Sequence, residues 1–250
     1  MKFDYVIVGG GSAGSVMANR LSADPLVSVC LLEAGGGGKD FVIRAPAMMA
    51  SMISGRPPIN NWALKTVPQP ELNNRCGFQP RGKALGGSSA INAMLYVRGH
   101  QRDYDEWAEL GCEGWGWADV LPYFLKSEGN TMGAFDLHGS DGPLQVADQS
   151  EPRAITNAFF QAAEGLQIRR NNDFNGPRQE GVGPYQVTQF HSGPHKGERC
   201  SAAAAYLFPA MKRSNLTVVT KARVRRILMD DGHATGVEYD KGGVQVVLAK

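Results

Sequence analysis

Val6-Ile7-Val8-Gly9-Gly10-Gly11-Ser12-Ala13-Gly14, close to the start of the chain, decides the fold class. A short apolar run that breaks into glycines at this spacing reads as a buried strand, a tight turn and the first turn of a helix. Gly9 permits the turn and Gly11 lets the backbone approach a pyrophosphate. Gly14 allows close packing of the helix, whose positive N-terminal end faces the phosphates. Outward from this stretch, Val16, Met17 and Leu21 supply an amphipathic helical segment, Val29 to Leu32 a second strand, and Glu33 follows Gly14 by 19 residues. That is the spacing of a carboxylate that accepts hydrogen bonds from a ribose hydroxyl. The context predicts a βαβ unit that binds a dinucleotide; a glycine-rich turn without a ligand is the alternative it argues against.

The chain has 250 residues, 42% of them hydrophobic, enough for one large domain or two small ones. Its 26 basic and 24 acidic residues give a formal charge of +2 without long like-charge blocks, which makes no case for nucleic acid. No apolar stretch approaches the roughly 18 to 20 residues of a membrane span, and Met1-Lys2 leads straight into the first strand. The expectation is a cytoplasmic protein, with peripheral attachment to the inner membrane left open.

Cys30, Cys76, Cys112 and Cys200 form no C-x-x-C pair and no metal-ligand spacing, so reduced thiols are expected and a redox-active disulfide is not. His100, His138, His191, His195 and His233 also lack metal spacing and are expected on the surface or in loops. No metal site is expected.

Glycines concentrate at turns, and the Pro-, Asn- and Gly-rich stretch from the first βαβ unit to about residue 100 predicts a long, mostly irregular excursion. Helical spacing appears at 103–110 and 118–127, with Trp115 and Trp117 expected to pack between the two helices as core. Ile155, Ala158, Phe159, Ala162, Ala163 and Leu166 predict a one-faced helix over 153–166. Ser201 can cap a short alanine-rich helix ending near Pro209. Strand-like segments at 216–220, 224–229, 236–239 and 244–248 predict a small β-meander.

A second motif runs Arg81-Gly82-Lys83-Ala84-Leu85-Gly86-Gly87-Ser88-Ser89-Ala90-Ile91-Asn92-Ala93-Met94-Leu95. Gly86-Gly87 would let backbone N–H groups approach a ring or a phosphate, with Ser88, Ser89 and Asn92 as fixed hydrogen-bonding groups. By residue types alone it could equally be a decorated turn.

This segment resembles the first signature of the glucose-methanol-choline (GMC) family of flavin oxidoreductases. The resemblance spans the chain through Leu32-Glu33-Ala34-Gly35, Asn61-Trp62, Pro68-Gln69-Pro70, Asp141-Gly142-Pro143-Leu144, Gly181-Val182-Gly183 and Asn215-Leu216-Thr217-Val218, and is nearest the choline and aliphatic alcohol dehydrogenase branch. It implies an α/β fold: a Rossmann-like FAD-binding domain with a β-meander, from 1–150 and 195–250, plus part of a substrate-binding domain at 151–194.

It further implies FAD as cofactor. The diphosphate would lie over Gly9, Gly11, Ser12, Ala13 and Gly14, the adenosine ribose on Glu33 and Ala34, and the adenine against the backbone of Val224. Asn92, Ala93, Met94 and Leu95 would run along the isoalloxazine ring, with Trp62, Gly86 and Gly87 near it. Ile91 stands where some relatives carry a histidine that binds FAD covalently, so non-covalent FAD is expected. The implied reaction is oxidation of a primary alcohol by hydride transfer to flavin N5, with choline one candidate and a quinone the electron acceptor. None of the five histidines occupies the position of the family's catalytic base, so no catalytic residue is assigned. The expectation is an N-terminal half, inactive alone. Two other readings stay open: a nicotinamide-dependent reductase sharing the fingerprint, and a non-catalytic flavin-binding remnant.

Overall fold

The computed structural model describes residues 2–54, 58–150 and 152–250; Met1, 55–57 and Glu151 lie outside the described residues. The chain opens with β1 (Lys2–Phe3), β2 (Tyr5–Val8), α1 (Ser12–Leu21) and β3 (Val29–Leu32). Short elements follow: α2 (Phe41–Arg44), α3 (Met49–Ile53), β4 (Leu64–Lys65) and β5 (Phe78–Gln79). Then come α4 (Gln101–Glu109), α5 (Trp117–Ser127), β6 (Glu128–Asn130), β7 (Leu144–Val146) and α6 (Ala154–Gly165). The chain closes with α7 (Phe208–Ala210), β8 (Leu216–Val219), β9 (Arg223–Asp230), β10 (His233–Asp240) and β11 (Val244–Ala249). By packing it divides into two units, Met1–Ala93 with Glu198–Lys250, and Met94–Gly197. Residues 94–150, expected in the nucleotide-binding domain, therefore pack with 151–197.

The first unit is built on a parallel sheet in the order β2-β3-β8. β3 reads Val-Cys-Leu-Leu without a polar alternate because both of its faces are covered. Val29 and Leu31 point into a core with Ile7, Ala18, Ala203, Leu207 and Leu216. Cys30 and Leu32 point the other way, into a core with Phe3, Val237, Tyr239 and Val247. The second core lies under a sheet ordered β1-β11-β10-β9, whose last three strands form an antiparallel meander. The expected meander thus loses its first member: 216–219 pairs parallel to β3, because Leu216 fills the first core.

Within α1 the buried positions are Gly14, Ser15, Ala18 and Asn19, while Met17 is half exposed. Small residues form the packed face, which brings the helix close to the sheet. Ser201 Oγ accepts from the Ala204 N–H at 3.2 Å, as a cap would, but the helix it opens widens into a π-turn at Ala203–Leu207 before α7. Asn19 Nδ2 donates to the Tyr206 carbonyl at 2.7 Å across this contact.

In the second unit His100 and Asp103 form a capping box: the Arg102 N–H donates to His100 Nδ1 at 3.2 Å and the His100 N–H to Asp103 Oδ2 at 2.7 Å. Tyr104 is the buried ring around which Trp107, Trp117 and Phe124 gather. Trp115 does not join the core as expected; it is 55% exposed and meets Trp107, itself 46% exposed, edge-on. On α6 the buried residues are Phe160 and Ala163, whereas Ile155, Phe159 and Leu166 are exposed. At about 100° per residue, the buried face is turned roughly a quarter turn from the expected stripe. The Arg170 guanidinium covers the Phe160 ring at 4.0 Å.

Candidate functional site

A cleft of about 320 Å³ opens in the first unit at the C-terminal ends of β2 and β3, lined by Val8, Gly9, Gly11, Leu32, Glu33, Ala34, Trp62, Gly82, Gly87, Ala222, Arg223 and Val224. That is where an open parallel sheet ordinarily receives a ligand. The glycine turn makes its floor. Gly9 sits at φ +93°, a conformation side chains resist, and a Cβ there would meet open space. A Cβ on Gly14 would collide with the Gly9 carbonyl oxygen, so only glycine lets α1 start this close to the strand. The cap position, Gly11, offers no side-chain acceptor and the first turn holds no acidic residue. The leading N–H groups of α1 thus face outward from a positive helix end.

The second motif is laid directly on this turn. Gly86, at φ +98°, donates its N–H to the Gly10 carbonyl at 2.7 Å, and a Cβ on Gly87 would come within 2.7 Å of Gly11 Cα. Gly82 and Gly35 are likewise crossed by backbone, at Gly87 and Lys83 respectively. Backbone against backbone is the reason for these glycines. The hydroxyls of the motif serve the protein itself: Ser88 Oγ accepts from the Gly82 N–H at 3.2 Å, and Ser89 Oγ donates to the Gly86 carbonyl at 2.6 Å while accepting from the Ala202 N–H at 2.9 Å.

Glu33 is 6% exposed, and each of its oxygens accepts one backbone N–H, Oε2 from Gly10 at 2.8 Å and Oε1 from Gly35 at 2.7 Å. The carboxylate therefore ties the glycine turn to the end of β3, and it retains acceptor capacity beyond these two bonds. Trp62 is held between cations, with Lys83 Nζ 4.3 Å and Arg223 Cζ 5.7 Å from its ring centre. Asn61 fixes that corner: Nδ2 donates to the Met52 carbonyl at 2.8 Å, and Oδ1 accepts from the Ala63 and Arg81 N–H groups at 2.9 and 3.0 Å.

Seven residues expected at the site, Gly9, Gly11, Glu33, Ala34, Trp62, Gly87 and Val224, thus meet around one cleft. Ser12, Ala13 and Gly14 form the first turn of α1, and Gly86 lies behind the floor as a donor to it. Asn92 is exposed and Ala93 half-buried in the first unit. Met94, at φ +65°, and Leu95 belong to the second unit, where the Met94 carbonyl accepts from the Thr188 N–H at 2.8 Å. Val8, Leu32, Gly82, Ala222, Arg223 and Lys83 were not expected. Val8 and Leu32 end the two strands read from the sequence, and Gly82 and Lys83 lie in the second motif; Ala222 and Arg223 carried no signal.

The second unit holds a buried cluster that the sequence reading also missed. Glu128 Oε2 accepts from Arg98 Nη2 at 2.7 Å and from the Gly139 N–H at 2.9 Å, while Oε1 faces His138 Nδ1 at 3.0 Å and Asn130 Nδ2 at 2.8 Å. His138 Nε2 lies 3.0 Å from Asp173 Oδ2. His138 lies in the loop between β6 and β7, one of the two placements expected, but is buried at 2% exposed. Burial works against its charged form, but the hydrogen bonds to Glu128 and Asp173 prevail and hold the imidazole above its ordinary value. Burial likewise opposes ionisation of Glu128, yet the bonds from His138, Asn130 and Gly139 and the Arg98 charge hold its carboxyl below the usual range.

None of the four cysteines forms a disulfide, and burial pushes the Cys30 thiol up to about 11. Among the described residues no group of His, Cys, Asp and Glu is placed to hold a metal ion, and no helix is long and apolar enough to cross a membrane.

The sequence profile of the GMC oxidoreductase family matches residues 3–250. An alcohol dehydrogenase [acceptor] of Pseudomonas putida is 47% identical over 240 residues, 95% of this chain and 42% of that protein. An oxygen-dependent choline dehydrogenase of Rhizobium etli is 45% identical over all of this chain and 44% of its own length. The crystal structure of pyridoxine 4-oxidase from Mesorbium loti superposes with a TM-score of 0.91 at 34% identity, covering 99% of this chain and 48% of that one. An FAD-dependent oxidoreductase from Chaetomium thermophilum gives a TM-score of 0.87 at 28% identity over 99% and 44%. The chain spans less than half the length of the curated relatives it matches.

Proposed function

The chain belongs to the GMC oxidoreductase family, and from that premise we propose that it is the nucleotide-binding portion of a flavin-dependent alcohol dehydrogenase and binds FAD non-covalently. The single observation that supports this most is the cleft whose floor is backbone, Gly9 with Gly11, the latter against Gly87, beside the N-terminus of α1 and the Glu33 carboxylate.

The residues present fit such a group. The N–H groups at the start of α1 and the bare backbone of Gly9 and Gly11 suit a diphosphate, which Ser12 and Ala13 would flank. Glu33 keeps acceptor sites for a ribose hydroxyl beside its two backbone bonds, with Ala34 next to it. Val224 offers backbone to the adenine. Trp62, Gly86, Gly87 and Asn92, with Ala93, Met94 and Leu95 following in sequence, are assigned to the ring. Ile91 has no nucleophilic atom and is buried with Ile43, Met52 and Ala84, so it forms no link to the cofactor.

Bound FAD would supply the two-electron acceptor for hydride from the carbinol carbon of a primary alcohol, with choline one candidate. The proton-accepting base is assigned to no residue of this chain, since its buried histidine, His138, is committed to Glu128 and Asp173. These 250 residues alone are proposed to be inactive. Residues 1–150 and 195–250 are proposed to serve the nucleotide and 151–194 the substrate, in the cytoplasm. A quinone is the proposed electron acceptor; the choline dehydrogenase of Rhizobium etli is oxygen-dependent by name, and turnover of a complete enzyme with and without oxygen decides between the two.

The purified chain should be yellow or become so with FAD, and acid precipitation should release the colour into the supernatant. A protein that ignores FAD, or binds NAD in its place, overturns the reading; colour retained in the pellet overturns the non-covalent part.

A further inference from the structure

Arg199 is 2% exposed, a buried cation in the first unit. Its Nε donates to the Ile43 carbonyl at 2.9 Å, and its Nη1 to the carbonyls of Ser89 at 3.3 Å and Asn92 at 2.7 Å and to Asn92 Oδ1 at 2.9 Å. Its Nη2 is buried without a hydrogen-bond partner, and among the described residues no carboxylate pairs with the guanidinium. Burial pushes it down to about 10, which leaves it charged at neutral pH. Buried charges are ordinarily paired, and one held only by carbonyl dipoles is costly. Here three of its four side-chain bonds fall on one short segment, Ser89 to Asn92.

The chemistry of those bonds is directional. A guanidinium only donates, so Asn92 must turn its carbonyl oxygen to Arg199 and its N–H2 away. We propose that Arg199 is a positioning residue: it fixes the amide sense of Asn92 and the carbonyls of Ser89 and Asn92, and so presets the segment on which the flavin ring is laid. The inference rests on the reading of Asn92 as part of that segment. Neither the family resemblance nor the shape of the cleft calls for Arg199.

The test is a double-mutant cycle on the full chain, with FAD as the probe. R199M and N92A should each weaken FAD binding by about tenfold or more, the scale of a hydrogen bond to a charged group, and shift the visible bands of the bound flavin. The double variant should be no weaker than the worse single one, because both remove the same contact. R199K, which keeps the charge but cannot reach three carbonyls at once, should recover only part of the loss. Without cofactor, amides at 89–93 in R199M and R199K should exchange faster while β2, β3 and β8 stay protected. Additive losses, or wild-type exchange at 89–93 in a folded R199M, overturn the proposal. Should R199M not fold, R199K with wild-type affinity and wild-type exchange overturns it. A wild-type chain that binds no FAD refutes the cofactor reading instead, and the exchange arm still judges the clamp.

Discussion

The two units solve the problem of a fixed interior in opposite ways. In the first, the site is backbone lying on backbone: Gly86 donates to Gly10, Gly87 sits on Gly11, and Gly14 against Gly9 leaves no room for a single methyl group. In the second, the interior is organised by charges, with Glu128 between Arg98 and His138, and His138 between Glu128 and Asp173. The first arrangement is intolerant of added carbon atoms at its floor. The second depends on its charged partners, although Gly139 and Gly142 beside Glu128 are crossed by backbone as well.

The largest effect should come from removing the centre of the charged cluster. Glu128→Ala leaves Arg98 and His138 buried without their partner, which should cost about 3 to 5 kcal/mol. Denaturant unfolding followed by hydrogen exchange should show 94–197 opening first while β2, β3 and β8 stay protected. Loss of both units together would break the distinction between them. Next, Gly14→Ala drives a methyl group into the Gly9 carbonyl and should cost about 1 to 3 kcal/mol, with FAD affinity falling along with urea stability.

A smaller effect is expected from pH. His138 has a raised value in the fold, so its contribution is complete below the ordinary 6.5 and is lost as pH rises through the raised value. Glu128 has a lowered value, so its contribution holds above the ordinary 4.5 and is lost as pH falls through the lowered one. The thermal midpoint of the second unit should therefore decline on the alkaline side above about 6.5, and His138→Gln should flatten that decline. An unchanged alkaline limb in the variant would remove His138 from the explanation. Smallest of all, Gly111→Ala places a methyl group in open space at φ +103° and should cost about 1 kcal/mol, the backbone cost alone. A cost equal to that of Gly14→Ala would mean that close approach at Gly14 costs no more than an unfavourable backbone conformation in open space.

The same contrast explains what could be read in advance. A positive φ at Gly9 and close backbone approach at Gly14 demand glycine at fixed offsets, so Gly9, Gly11, Gly14 and Glu33 announced the βαβ unit from residue types alone. The uninterrupted Val29 to Leu32 run announced a strand covered on both faces. Gly86 and Gly87 needed the family resemblance, since by themselves they could have been a turn. The charged cluster left no trace, because residues 98, 128, 138 and 173 share no spacing and meet only through the fold. Arg199 was equally silent, as was Arg223 near Trp62. On α6 the repeat of apolar residues was real, but period alone does not say which of Phe159 and Phe160 is covered.

Hydrogen exchange of the whole chain with and without FAD tests most directly whether the glycine-floored cleft is the cofactor site. Added FAD should slow exchange at 9–14, 33–34, 82–87, 92–95 and 222–224 and leave the amides around Glu128, His138 and Asp173 unchanged. Protection that is absent from the cleft, or centred on that cluster, would contradict it.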